Sequence, residues 1–147
     1  MKNQKGITLM ILVVTVIVMA LTAGTITYNS VAAIKMRAYY DMCADIELLD
    51  EKIALYYLEN NGKLPTDETT PNSSAEMTSG ENSNPNNNGN FYKIDLTKLD
   101  NLSLNNSEYY INEQSHTIYC STGVTLDGYT YYTVPQNYTK IDLTKYQ

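Results

Sequence analysis

Few side chains in this sequence are suited to chemistry, and their spacing limits what that chemistry can be. His116 is the single histidine among 147 residues. It ends the run Asn112-Glu113-Gln114-Ser115-His116, which reads as a turn and holds no cysteine or carboxylate at ligand spacing. His-cluster zinc chemistry is excluded, and acid–base catalysis has only a solvated turn histidine to use. Asp95, Asp100, Asp127 and Asp142 lack the ordered spacing of a calcium loop. No nucleophile–base pair or paired carboxylate site is visible. The reading is therefore no enzyme, no metal and no cofactor. Cys43 and Cys120 remain. Two cysteines do not make a disulfide-rich scaffold. A disulfide between them, joining helix to sheet, is open to an extracytoplasmic chain, and two buried free thiols are the alternative.

The strongest signal is where charge is missing. The net charge is -6 and the pI about 4.6, which disfavours a nucleic-acid-binding body. Between Lys5 and Lys35 there is no charged residue at all, and the apolar run within that interval, 7–34, has 28 residues. A bilayer core of about 30 Å needs about 20 apolar residues in a helix, so the run is long enough to span. Its β-branched cluster, 13–18, favours a strand in water, but a lone strand in lipid leaves its backbone unsatisfied. Three readings compete: a secretory signal peptide, a plain membrane anchor, and a processed anchor. The apolar region of a signal peptide is about 7–15 residues, shorter than this run.

The third reading rests on Lys5-Gly6-Ile7-Thr8-Leu9. A short basic leader, MKNQKG, ends in glycine, and Ile-Thr-Leu opens the apolar helix. This resembles the prepilin signature of type IV pilins and type II secretion pseudopilins. The resemblance implies cleavage between Gly6 and Ile7 by a membrane prepilin peptidase, then N-methylation of Ile7, with Lys5, Thr8 and Leu9 completing the processing motif. Glycine before the cut lets the backbone enter a protease cleft without side-chain obstruction. The family usually carries glutamate at the fifth mature position, where this chain has Ile11. That glutamate draws in the amino terminus of a neighbouring subunit, and some minor pilins lack it. Lys2 and Lys5 before the run nearly balance Lys35 and Arg37 after it, and the leader's free amine tips the amino terminus to the cytoplasm.

Past the run, Val31, Ile34, Ala38, Met42, Ile46, Leu49, Ile53 and Tyr57 recur every three or four residues, which predicts a helical stripe. Asn60-Asn61-Gly62 and then Pro65 predict its stop, so the helix is expected over 7–60. Residues 66–90 are polar, without aromatics, and read as a mobile surface loop; the sequon at Asn72 is a chance match in that composition. Strands are expected at 91–94, 108–111, 117–121, 124–126 and 129–134. Turns are expected at 112–116 and Asp127-Gly128, with Asp95 capping a helical turn over 96–99. The run 109–135 is similar to the carboxy-terminal half of pseudopilin-like proteins of Gram-positive bacteria. The hexapeptide 93–98, Lys-Ile-Asp-Leu-Thr-Lys, recurs verbatim at 140–145 without flanking similarity, which does not amount to a repeat architecture.

The resulting expectation is a pilin-like α+β chain. It has a leader (1–6), a transmembrane or filament-core helix half (7–34), an amphipathic helix half (35–65), a polar loop (66–90) and an antiparallel sheet domain (91–147). Its implied function is a structural subunit, a minor pilin or pseudopilin. It begins as a single-pass membrane protein with an extracytoplasmic body and then joins a cell-surface filament. Its implied partners are prepilin peptidase, the membrane, and other pilin subunits through the helix; no nucleic acid is expected. The alternative is a monomeric membrane-anchored extracytoplasmic binding module.

Overall fold

The computed structural model describes the backbone of residues 2–71 and 77–135, and the side chains of 9–24, 30–67 and 77–135. Asn72, Asp142 and the second hexapeptide copy at 140–145 lie outside the described residues. The chain is α+β and divides into two compact units, the first of residues 1–34 with 143–147 and the second of residues 35–142. Helix α1 covers Lys2–Glu59, so it begins within the leader rather than at residue 7. It ends where the sequence signals a stop. Asn61 and Gly62 take positive φ values of 56° and 76°, and the Gly62 N–H donates to the Tyr57 carbonyl at 2.9 Å. A left-handed residue past the last turn satisfies carbonyls the helix leaves open.

In the second unit, strands β1 (Thr66–Pro71), β2 (Phe91–Ile94), β3 (Tyr109–Asn112) and β4 (Ile118–Cys120) form an antiparallel sheet in that order. Strands β5 (Val124–Leu126) and β6 (Tyr129–Tyr131) form a separate hairpin. Its turn is the expected Asp127-Gly128, with φ of 49° and 78°. Two consecutive positive φ values match the right-handed twist of the flanking strands. Asp95 caps a 3-10 turn over Leu96–Lys98, accepting from the Thr97 N–H at 3.1 Å.

All seven residues of β3 and β4 are buried, because this part of the sheet is covered on both faces. Register pairs Tyr109 with Cys120 and Ile111 with Ile118 on one face. That face meets the helix stripe, as the hydrogen bond from Tyr109 to Asp45 demonstrates. The opposite face carries Tyr110 and Tyr119, which cluster with Phe91 and Met77. Met77 belongs to the stretch read as a mobile loop.

Two expectations are corrected here. First, the stripe is rotated at its start: Met36 and Tyr39 are buried, whereas Val31 and Ile34 are exposed. From Met42 through Ile46, Leu49 and Ile53 the stripe is as expected. Second, 66–90 is not simply a loop. Its first residues are β1, and 77–90 is bound to the sheet by asparagines. Asn82 donates to the Thr130 carbonyl (2.9 Å) and accepts from the Tyr132 N–H (2.9 Å). Asn84 donates to Thr117 Oγ1 and Asn87 to the Tyr119 hydroxyl, both at 2.7 Å. Asparagine carries both a donor and an acceptor, so each can serve two backbone or hydroxyl partners.

Candidate functional site

Residues 9–24 of α1 are the stretch whose apolar side chains stay exposed. Eleven large apolar side chains between Leu9 and Leu21 are 49–70% exposed. At 3.6 residues per turn they occupy every side of the helix, not one stripe. The segment's two threonines are satisfied inside the helix. Thr15 Oγ1 donates to the Ile11 carbonyl at 2.7 Å, and Thr22 Oγ1 to the Val18 and Met19 carbonyls at 3.0 Å each. No side-chain hydroxyl of this stretch therefore needs water.

Ile11 lies within this belt and is itself exposed. Leu9 of the processing motif is exposed as well. The backbone of Lys5, Gly6, Ile7 and Thr8 is helical, and their side chains lie outside the described residues. Among the described residues, no helix is long and apolar enough to cross a membrane. The described side chains within the 7–34 run are 9–24 and 30–34.

In the second unit the structure joins helix to sheet through a carboxylate, Asp45, that the expected stripe does not include. Asp45 is 2% exposed. It accepts from the Asn105 and Asn106 N–H groups at 3.0 Å, from Asn105 Nδ2 at 2.9 Å, and from the Tyr109 hydroxyl. Burial raises the pKa of this carboxyl, but the donors from Tyr109, Asn105 and Asn106 outweigh it and hold the group below its ordinary value. Burial, and then the bond to Asp45, push the Tyr109 phenol far above its ordinary value, so it stays a donor. A signal was available. Asp45 stands three residues after Met42 and four before Leu49, which is the phase of the stripe.

Cys43 and Cys120 are both free thiols in the structure, so the candidate disulfide is not formed. Cys120 is buried in β4, its Sγ 3.3 Å from Thr122 Oγ1. Burial, reinforced by Glu47 and opposed by Tyr39, pushes the Cys43 thiol up and leaves it a poor nucleophile. His116 is exposed in its turn with φ 58°, its ring 5.3 Å from that of Tyr57. Among the described residues no group of three or more His, Cys, Asp or Glu side chains is placed to hold a metal ion. No family model matches this chain, and no curated protein or solved structure is found to be similar to it.

Proposed function

We propose that this chain is a structural subunit, a minor pilin or pseudopilin, of a type IV pilus or type II secretion-like filament, processed by prepilin peptidase. The observation that carries the reading is the all-round apolar belt at 9–24, directly behind Lys5-Gly6-Ile7-Thr8-Leu9. Eleven such side chains left in water forgo on the order of 15–30 kcal/mol, at about 1.5–3 kcal/mol each. An amphipathic helix on a protein surface buries one side; this segment needs an apolar surround on every side. A membrane supplies that before assembly, and a sheath of like helices supplies it within a filament.

Ile11 bears on which subunit this is. A carboxylate there would cost about 2.5–3.5 kcal/mol at membrane depth, a cost acceptable only where it has a task such as pairing with a neighbour's amine. Ile11 offers dispersion contacts, which do not set register. A subunit that begins a filament has no earlier neighbour to find. Low copy number at tips or in initiation complexes follows, and labelled antibody on sheared filaments tests it. Tip or sparse labelling is expected, whereas dense labelling along the shaft would make this a major subunit. The missing charge also suits the second reading, a monomeric membrane-anchored binding module, for which filaments would carry no label.

A further inference from the structure

An asparagine followed by glycine can attack its own backbone, because glycine puts no side chain in the way of its amide nitrogen. The sequence contains two such pairs, Asn61-Gly62 and Asn88-Gly89, both in the second unit. Both asparagines are exposed, and neither side chain is hydrogen-bonded among the described residues.

The fold treats the two backbones differently. The Gly62 N–H donates to the Tyr57 carbonyl at 2.9 Å, so its nitrogen is committed to closing the end of α1. The Gly89 N–H has no acceptor among the described residues.

The residues flanking the second pair are anchored. Asn87 donates to the Tyr119 hydroxyl at 2.7 Å and accepts from Ser115 Oγ at 2.6 Å. The Asn90 N–H donates to Glu113 Oε1 at 2.8 Å, and the Glu113 N–H donates to the Asn90 carbonyl at 3.0 Å. Glu113 also lies over the glycine. A Cβ at Gly89 would fall 2.0 Å from Glu113 Oε1, and the φ of 77° disfavours any other residue there. Between two anchors, then, the chain keeps an unbonded amide nitrogen next to an unbonded asparagine side chain.

We propose that Asn88 is a site of spontaneous modification, deamidating through a cyclic imide with Gly89, and that the helix cap protects Asn61 from the same reaction. The Gly89 nitrogen gives its proton to solvent hydroxide and bonds to Asn88 Cγ. The side-chain nitrogen takes a proton from water and leaves as ammonia. Water then opens the five-membered imide at either carbonyl, giving aspartate or isoaspartate. Nothing is oxidised or reduced, and the attack is intramolecular. Either product adds a negative charge one residue from the Gly89–Glu113 contact. Isoaspartate also adds a methylene to a backbone held at Asn87 and Asn90. Both changes loosen 84–90 from Tyr119 and Glu113. The inference does not rest on the filament reading.

The test ages the full chain, in detergent micelles, in warm and mildly alkaline buffer. Peptide mapping by mass spectrometry then reads the mass gained when an amide –NH2 becomes –OH. Folded protein should convert Asn88 severalfold faster than Asn61. In guanidinium, where the cap is gone, the two should convert at similar rates. Equal rates in the folded chain, or faster conversion at Asn61, overturn the proposal. A gap that persists in guanidinium overturns it too, because the fold would not be its cause. Asn88→Gln, whose longer side chain closes a ring far more slowly, supplies the second arm. Hydrogen exchange over 84–90 should be severalfold faster in aged parent than in fresh parent, and unchanged by ageing in Asn88→Gln. Exchange unaltered in the aged parent, or accelerated equally in both, would contradict the loosening.

Discussion

Two stretches of the same helix answer to different surroundings. Over 9–24 every large apolar side chain is exposed and nothing charged interrupts them. Over 36–53, Met36, Tyr39, Met42, Asp45, Ile46, Leu49 and Ile53 are buried, with Arg37, Glu47, Asp50 and Glu51 exposed between them. The second stretch has a helical period because one side meets a sheet and the other meets water. The first has none, and on the proposed reading this is because its surroundings are apolar throughout. The comparison teaches that the period of an apolar helix separates the stretch its own sheet covers from the stretch whose apolar side chains stay exposed on every side.

The largest expected effect separates the stretches physically. Deleting residues 1–34 should turn a detergent-dependent protein into a monomeric, folded one in plain buffer, read by light scattering and circular dichroism. Aggregated or unfolded material would mean the apolar run belongs to the domain core. Next in size is a pair of truncations on the full chain in detergent. Met42→Ala, at a fully buried position, should lower domain stability by about 2–5 kcal/mol. Leu12→Ala should leave the same denaturation midpoint unchanged, and equal losses would erase the distinction.

Asp45→Ala sharpens the contrast further. It strands the Asn105 and Asn106 N–H groups and the Tyr109 hydroxyl. A loss of about 3 kcal/mol is expected for a buried acceptor of several hydrogen bonds. The pH dependence has a definite sign. The folded pKa of Asp45 lies below its ordinary value, so its contribution is complete above the unfolded pKa and is lost as pH falls through the folded one. Acid denaturation of Asp45→Ala should therefore be shallower below about pH 4 than that of the parent. Parallel profiles would remove Asp45 from the account.

Much of the second unit was legible because its signals are local. Asn61-Gly62 and Asp127-Gly128 state their turns through residues that accept positive φ. The stripe from Met42 to Ile53 follows from spacing alone. What escaped depends on partners distant in sequence. Strand β1 reads Thr-Asp-Glu-Thr-Thr-Pro, with no apolar alternation, because an edge strand can be held by its backbone pairing with β2. Asn82, Asn84 and Asn87 look like loop composition, and only the positions of Tyr119, Thr117 and Thr130 turn them into a bound layer. Asp45 is missing from the expected stripe because a stripe is read from apolar residues, although its phase matches Met42 and Leu49. In the first unit the apolar belt was plain in the sequence because it is a matter of composition alone.

The central claim is that the chain is a processed filament subunit, and intact-mass measurement on protein from its native host tests it most directly. The account predicts residues 7–147 carrying one added methyl group. A chain that retains Met1 would support the plain anchor instead, and one that begins near Thr25 would be the product of an ordinary signal peptidase and would contradict the account.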